Sequence, residues 1–212
     1  MENKYSKWER WLNNIYSEIT SLSVIRHIFL EVQKIIKDNP EIQKPSVFYE
    51  FIGNGYVASG LMGVRRQIKI DKGSISFAGL LKEISECPEI MSRERFTALY
   101  KGSDVEHLAD RDFDKFAGKV GTHIDPAVVL ADLDELQTQA RSCEKYSDKR
   151  IAHFDRGPIT VPTFEDLHKC IDLLETLLKK YYLVFTGGGL VDVLPTFQYD
   201  WQAIFKVPWI NE

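Results

Sequence analysis

Apolar residues recur at three- and four-residue steps through most of the chain, the rhythm of helices that bury one face. Trp8, Trp11, Leu12, Ile15 and Ile19 make one stripe, and Ile25, Ile28, Phe29, Val32, Ile35 and Ile36 make a second that stops at Asn39-Pro40. Proline cannot donate to the preceding turn, so the pattern predicts two helices, or one kinked near Leu22-Ser23, within residues 1–40. Residues 46–70 admit either reading at first. Val47 to Ile52 could form a strand, but Ser46 can cap a helix, and Phe51, Gly55, Ala58 and Met62 follow helical steps, with small residues permitting a close helix crossing. A helix is predicted there.

Further on, Ser76 opens a short capped helix through Ile84, and Ser92 opens another that runs to Tyr100 and ends at Gly102. Residues 103–122 are rich in Asp, Lys and Gly and weakly periodic, so an irregular excursion or a broken helix is expected. Asp125-Pro126 is a strong helix start, a cap followed by proline in the first turn. Behind it, Val129, Leu133, Leu136, Ala140 and Cys143 form an apolar seam. After a loop at 156–162, Thr163 opens a helix to about Phe185, with Leu167, Ile171, Leu174, Leu177 and Leu178 on its apolar face. Gly187-Gly188-Gly189 ends it, because glycine takes the left-handed turn cheaply. The tail, residues 187–212, carries Trp201 and Trp209 and is expected to pack back onto the helices. The prediction is an all-α bundle of long antiparallel helices in one domain of 212 residues, with its core in residues 46–186.

The formal net charge of -4 excludes a globally basic coat, so any nucleic-acid contact must be a local patch. Cys87, Cys143 and Cys170 form no Cys-x-x-Cys pair and have no nearby histidine at zinc-site spacing. A reduced, cytoplasmic protein without metal or cofactor is expected. The charged opening Met1-Glu2-Asn3-Lys4 and the lack of any apolar run near 20 residues lead us to expect neither a signal peptide nor a membrane contact.

Chemistry concentrates at the end of the seam helix, in Lys149, Arg150 and His153, with Arg156 just beyond. Arg150 and His153 are three residues apart and share a helical face. Imidazole gives and takes protons near neutral pH, and guanidinium grips phosphate, so the pair suits phosphodiester chemistry. The bland alternative is a solvated helix end, with His153 favoured by the helix dipole. Arg65 and Arg66 are a second candidate phosphate contact, against one surface arginine and one buried ion pair. Gly53-x-Gly55-x-x-Ala58, with Asp71 later, matches a dinucleotide fingerprint, but two helices precede it and no alternating strands follow, which disfavours an oxidoreductase. The triple glycine lacks the Gly-Lys-Ser/Thr of a phosphate loop, and His168 and Cys170 point to different helix faces.

Several separated pieces together resemble the AbiU-like branch of the HEPN superfamily, associated with bacterial abortive-infection and toxin systems. They are residues 63–67 (GVRRQ), 71–81 (DKGSISFAGLL), 148–153 (DKRIAH) and 200–209 (DWQAIFKVPW). The resemblance implies an HEPN-like helical bundle, a homodimer with the motif near its interface, metal-independent endoribonuclease activity on RNA in active members, and an antitoxin or operon partner protein. The superfamily motif is Arg, four to six residues, then His. His153 matches the histidine, but the arginine would fall at Tyr146, Ser147 or Asp148. Either Arg150 or one of Arg65 and Arg66 substitutes for it, or the site is degenerate and only binds a protein or nucleic acid, or the register of the match is shifted.

Overall fold

The computed structural model describes residues 3–153 and 155–209; Met1 and Glu2 of the opening run and Ile210 of the tail lie outside them. The chain is all-α, with helices α1 (Lys4–Asp38), α2 (Val47–Ile68), α3 (Phe77–Glu86), α4 (Arg93–Tyr100), α5 (Ala109–Ala117), α6 (Pro126–Tyr146) and α7 (Phe164–Thr186). Among the described residues no strand forms; a single bridge joins Ser92 to His123.

The caps fall where the side chains predict them. Asn3, Ser46, Ser76, Ser92 and Asp125 each accept a backbone N–H at the start of their helix, and Thr163 and Asp166 form a reciprocal capping box on α7. Gly187 closes α7 at φ 68°, a left-handed conformation that favours glycine.

The two predicted N-terminal stripes belong to one unbroken helix of 35 residues. Ser23 is buried where a kink is expected, and its hydroxyl donates to the Ile19 carbonyl one turn back and to Glu175 on α7. With its polar atom satisfied, and neither glycine nor proline nearby, the serine does not interrupt the ladder.

Helix α6 lies against α2, α3 and α7, and α1 crosses α2 and α7. Val129, Leu133, Leu136, Ala140 and Cys143 of the predicted seam are all buried, as are Leu167, Ile171, Leu174, Leu177 and Leu178 facing them. Asp132 fastens α7 to α6, accepting from Tyr181 at 2.7 Å and from Lys180 at 2.6 Å.

The close crossing on α2 is not made by the predicted row. Phe51 is 71% exposed, and Gly55 and Ala58 are exposed beside it. The close approaches are at Gly60, where a Cβ would lie 2.8 Å from Leu167 Cδ2, and at Gly63, where it would lie 2.4 Å from Leu22 Cδ2. Gly53 and Gly55 sit inside α2 rather than in a strand-to-helix turn, so the dinucleotide reading fails with the absent sheet.

Residues 103–122 are more ordered than their composition suggests. A short 3₁₀ turn leads into α5, and Phe113 joins Phe96, Tyr100 and Ala109 in a small second cluster. Arg93 holds the excursion down, reaching Asp110 at 3.0 Å, Asp114 at 2.8 Å and the Gly118 and Gly121 carbonyls at 2.7 and 2.9 Å.

The tail folds back across α1 and the start of α2. Phe197 stacks on His27, Gln202 donates to Glu31, and Trp209 sets its edge toward Phe48.

Candidate functional site

The candidate site begins where α6 changes its winding. After Tyr146 the chain continues as a π turn, Ser147–Ala152, and leaves it at His153 with extended backbone (φ −136°, ψ 155°). Such widened turns carry one extra residue per hydrogen-bonded ring and recur where side chains must be re-aimed. Here the turn spreads Asp148, Lys149, Arg150 and His153 over several directions, so the single helical face expected of Arg150 and His153 does not form.

Ser147, at the position expected for the motif arginine, is fully buried and donates to the Cys143 carbonyl at 2.8 Å. Asp148 faces α2, accepting from Arg65 Nε and from Lys69 at 2.9 Å; Lys69 also reaches Glu144 at 2.8 Å. Burial alone would raise the Asp148 carboxyl, but hydrogen bonds from Arg65 and Lys69 outweigh it and hold the group below the usual carboxylate range. The Glu144 and Asp148 hydrogen bonds raise the Lys69 ammonium. Arg66 turns away and pairs with Glu18 of α1 at 2.7 Å.

Arg150 clamps the following loop. Its guanidinium donates to the carbonyls of Asp155 and Gly157, the latter at 2.8 Å, while Asp155 N–H donates back to the Lys149 carbonyl at 2.9 Å. A hydrogen bond from the Gly157 N–H, and then the charge of Lys149, keep the Asp155 carboxyl low. Lys149 lies 3.8 Å from that carboxylate.

His153 and Arg156 are exposed and have no hydrogen-bond or ion-pair partner among the described residues. Of the six candidates, Lys149, Arg150, His153 and Arg156 therefore gather at one end of α6. Arg65 reaches that end only through Asp148, and Arg66 does not reach it.

Two features escaped the sequence reading. Between α6 and the loop at 158–160 lies a groove of about 560 Å³ lined by Thr138, Arg141, Ser142, Lys145 and Lys149. Its cations recur every fourth residue in the sequence, but the opposite wall comes from a loop whose position only the fold reveals. The other feature is a polar network between α1 and α7, in which Arg26 binds Asp172 and, at 2.8 Å, Glu175, beside His168. Burial lowers the His168 imidazole, whose buried Nε2 has no partner. His168 and Cys170 do point apart, and Cys170 meets Cys143 instead, sulfur to sulfur at 3.7 Å. Among the described residues no cluster of three His, Cys, Asp or Glu is placed to hold a metal ion, and no helix is long and apolar enough to cross a membrane.

An all-α bundle is the architecture implied by the HEPN resemblance. The family model HEPN_AbiU2 (AbiU2) matches residues 5–204, and the chain belongs to this family. No curated protein and no solved structure matches it.

Proposed function

We propose that the chain is an RNA-contacting protein of a bacterial abortive-infection system that grips phosphodiesters at the end of α6 and does not cleave them. One observation carries the reading: His153 and Arg156 stand exposed beside Lys149 without a partner among the described residues, while Arg65, Arg66 and Arg150, the three candidates to replace the motif arginine, are engaged in holding the fold. Imidazole alone can move a proton. Cleavage also needs a cation fixed on the phosphate as charge develops there, and Ser147 is buried where that arginine is expected. The remaining cations suit binding, which needs only charge and donors near the backbone.

The test is a titration of fluorescently labelled single-stranded RNA, in EDTA and at low salt, followed by anisotropy. Wild type should bind, with affinity falling steeply as salt rises, and the double variant H153A/R156A should bind about tenfold more weakly, through the loss of one cation and one neighbouring polar contact on an exposed surface. Binding unaffected by the double change would overturn the reading.

A homodimer belongs to the same proposal. It is supported by the exposed apolar residues Val47, Phe51, Val161 and Phe164, which leave hydrophobic surface uncovered on one copy. Sedimentation should give twice the chain mass; a monomer at micromolar concentration would contradict it.

A further inference from the structure

We infer that the groove along α6 is a track for the backbone of a single nucleic-acid strand, with Arg141, Lys145 and Lys149 each taking one phosphate. The inference rests on the reading of the chain as an RNA-contacting protein and adds residues remote from its histidine.

The argument starts from how charge is divided around one helix. Over residues 141–149, α6 and its π turn carry two carboxylates, Glu144 and Asp148, four residues apart. Both are spent toward α2, on Lys69 and Arg65. The cations Arg141, Lys145 and Lys149, also four residues apart, line the groove on another side. Arg141 and Lys145 are exposed and have no acidic partner among the described residues, and no carboxylate lines the groove. An ordinary solvated helix face mixes its signs in i,i+4 pairs. This one has its negative charges turned aside toward α2.

Spacing and shape narrow the ligand. Four α-helical residues rise roughly 6 Å, which sets Arg141 and Lys145 at the interval of successive phosphates on an extended strand, and Lys149 follows on the π turn. The hydroxyls of Thr138, Ser142 and, across the groove, Thr160 stand among them as neutral donors, the groups that share phosphate oxygens with lysine and arginine. Pro158 and Ile159 complete the far wall with apolar surface against which a base or sugar can lie. The row of cations ends at Lys149, four residues before His153, so a strand laid along it arrives at the exposed helix end.

The test compares R141E/K145E, H153A/R156A and the control K34E/K37E, which makes the same charge change on exposed residues of α1. Each is titrated against labelled single-stranded RNA and DNA of one sequence over a range of salt, with thermal unfolding to confirm the fold. R141E/K145E should weaken binding at least tenfold and flatten the salt dependence by about 1.4 in log–log slope, the share of two phosphate contacts on a single strand. K34E/K37E should change neither. Equal effects with RNA and DNA would support backbone reading alone, and a larger effect with RNA would support backbone reading with added contact to the 2′-hydroxyls. Wild-type affinity in R141E/K145E, with loss confined to H153A/R156A, would overturn the track and leave the functional proposal standing. No binding by wild type would overturn both. Displacement of the RNA by polyglutamate at matched charge would overturn the nucleic-acid assignment in favour of an acidic protein segment.

Discussion

At the scale of single residues, Asp148 and Arg150 tie the α6 end to its neighbours. Asp148 is the pivot, joining Arg65 and Lys69 of α2 to the π turn. Its folded-state pKa lies below the ordinary 3.8, so the stability it contributes is fully present above that value and is lost as pH falls through the lower, folded value. Lys69 runs the other way: raised above 10.5, it contributes below that value and loses the contribution as pH rises through the folded one. Asp148→Asn should cost about 1 kcal/mol near neutrality, the worth of a charged hydrogen bond discounted for water at a partly exposed site. The gap between the variant and wild type in denaturant midpoint should close in strong acid. A gap that stayed constant down to full protonation would show that Asp148 acts through packing instead.

The helices themselves were largely legible from sequence, because caps and periodic apolar faces are local signals. Ser46, Ser76, Ser92, Asp125 and Thr163 each mark a helix start, and each bonds as its chemistry dictates. What stayed hidden depends on partners distant in the chain. The Leu22-Ser23 region reads as a break until Glu175 supplies the serine with an acceptor. Helix α5 reads as irregular because Asp110, Arg111, Asp112, Asp114 and Lys115 crowd around the apolar pair Phe113 and Phe116. On α2 the glycines that matter for packing are Gly60 and Gly63, not the more conspicuous Gly53 and Gly55. Gly63→Ala should therefore destabilise by about 1 to 3 kcal/mol, since its methyl would collide with the buried Leu22. Gly53→Ala meets nothing within 4 Å and should stabilise by about 0.5 to 1 kcal/mol through helix propensity. Denaturant midpoints of the two variants should move in opposite directions; a shared direction would contradict this account of the crossing.

For the molecule as a whole, the net charge of -4 conceals a division of labour. Acidic side chains are drawn into the joints between helices, at Glu18, Glu144, Asp148, Asp172 and Glu175, where they neutralise basic partners. Arg141, Lys145 and Arg156, which have no acidic partner among the described residues, lie along one side of α6 and beyond its end. Lys149, Arg150, His153 and Arg156 were legible in the sequence, but Arg141 and Lys145 stood out, and which cations are spent could be seen, only once the helices were packed. The proposal of binding over cleavage rests on that distinction, because the fold retains His153 in the open and commits Arg65, Arg66 and Arg150 elsewhere. The most direct test is to incubate wild type and His153→Ala with RNA in EDTA and map the RNA ends. The account predicts intact RNA in both reactions, and fragments with 2′,3′-cyclic phosphate ends that disappear in His153→Ala would contradict it.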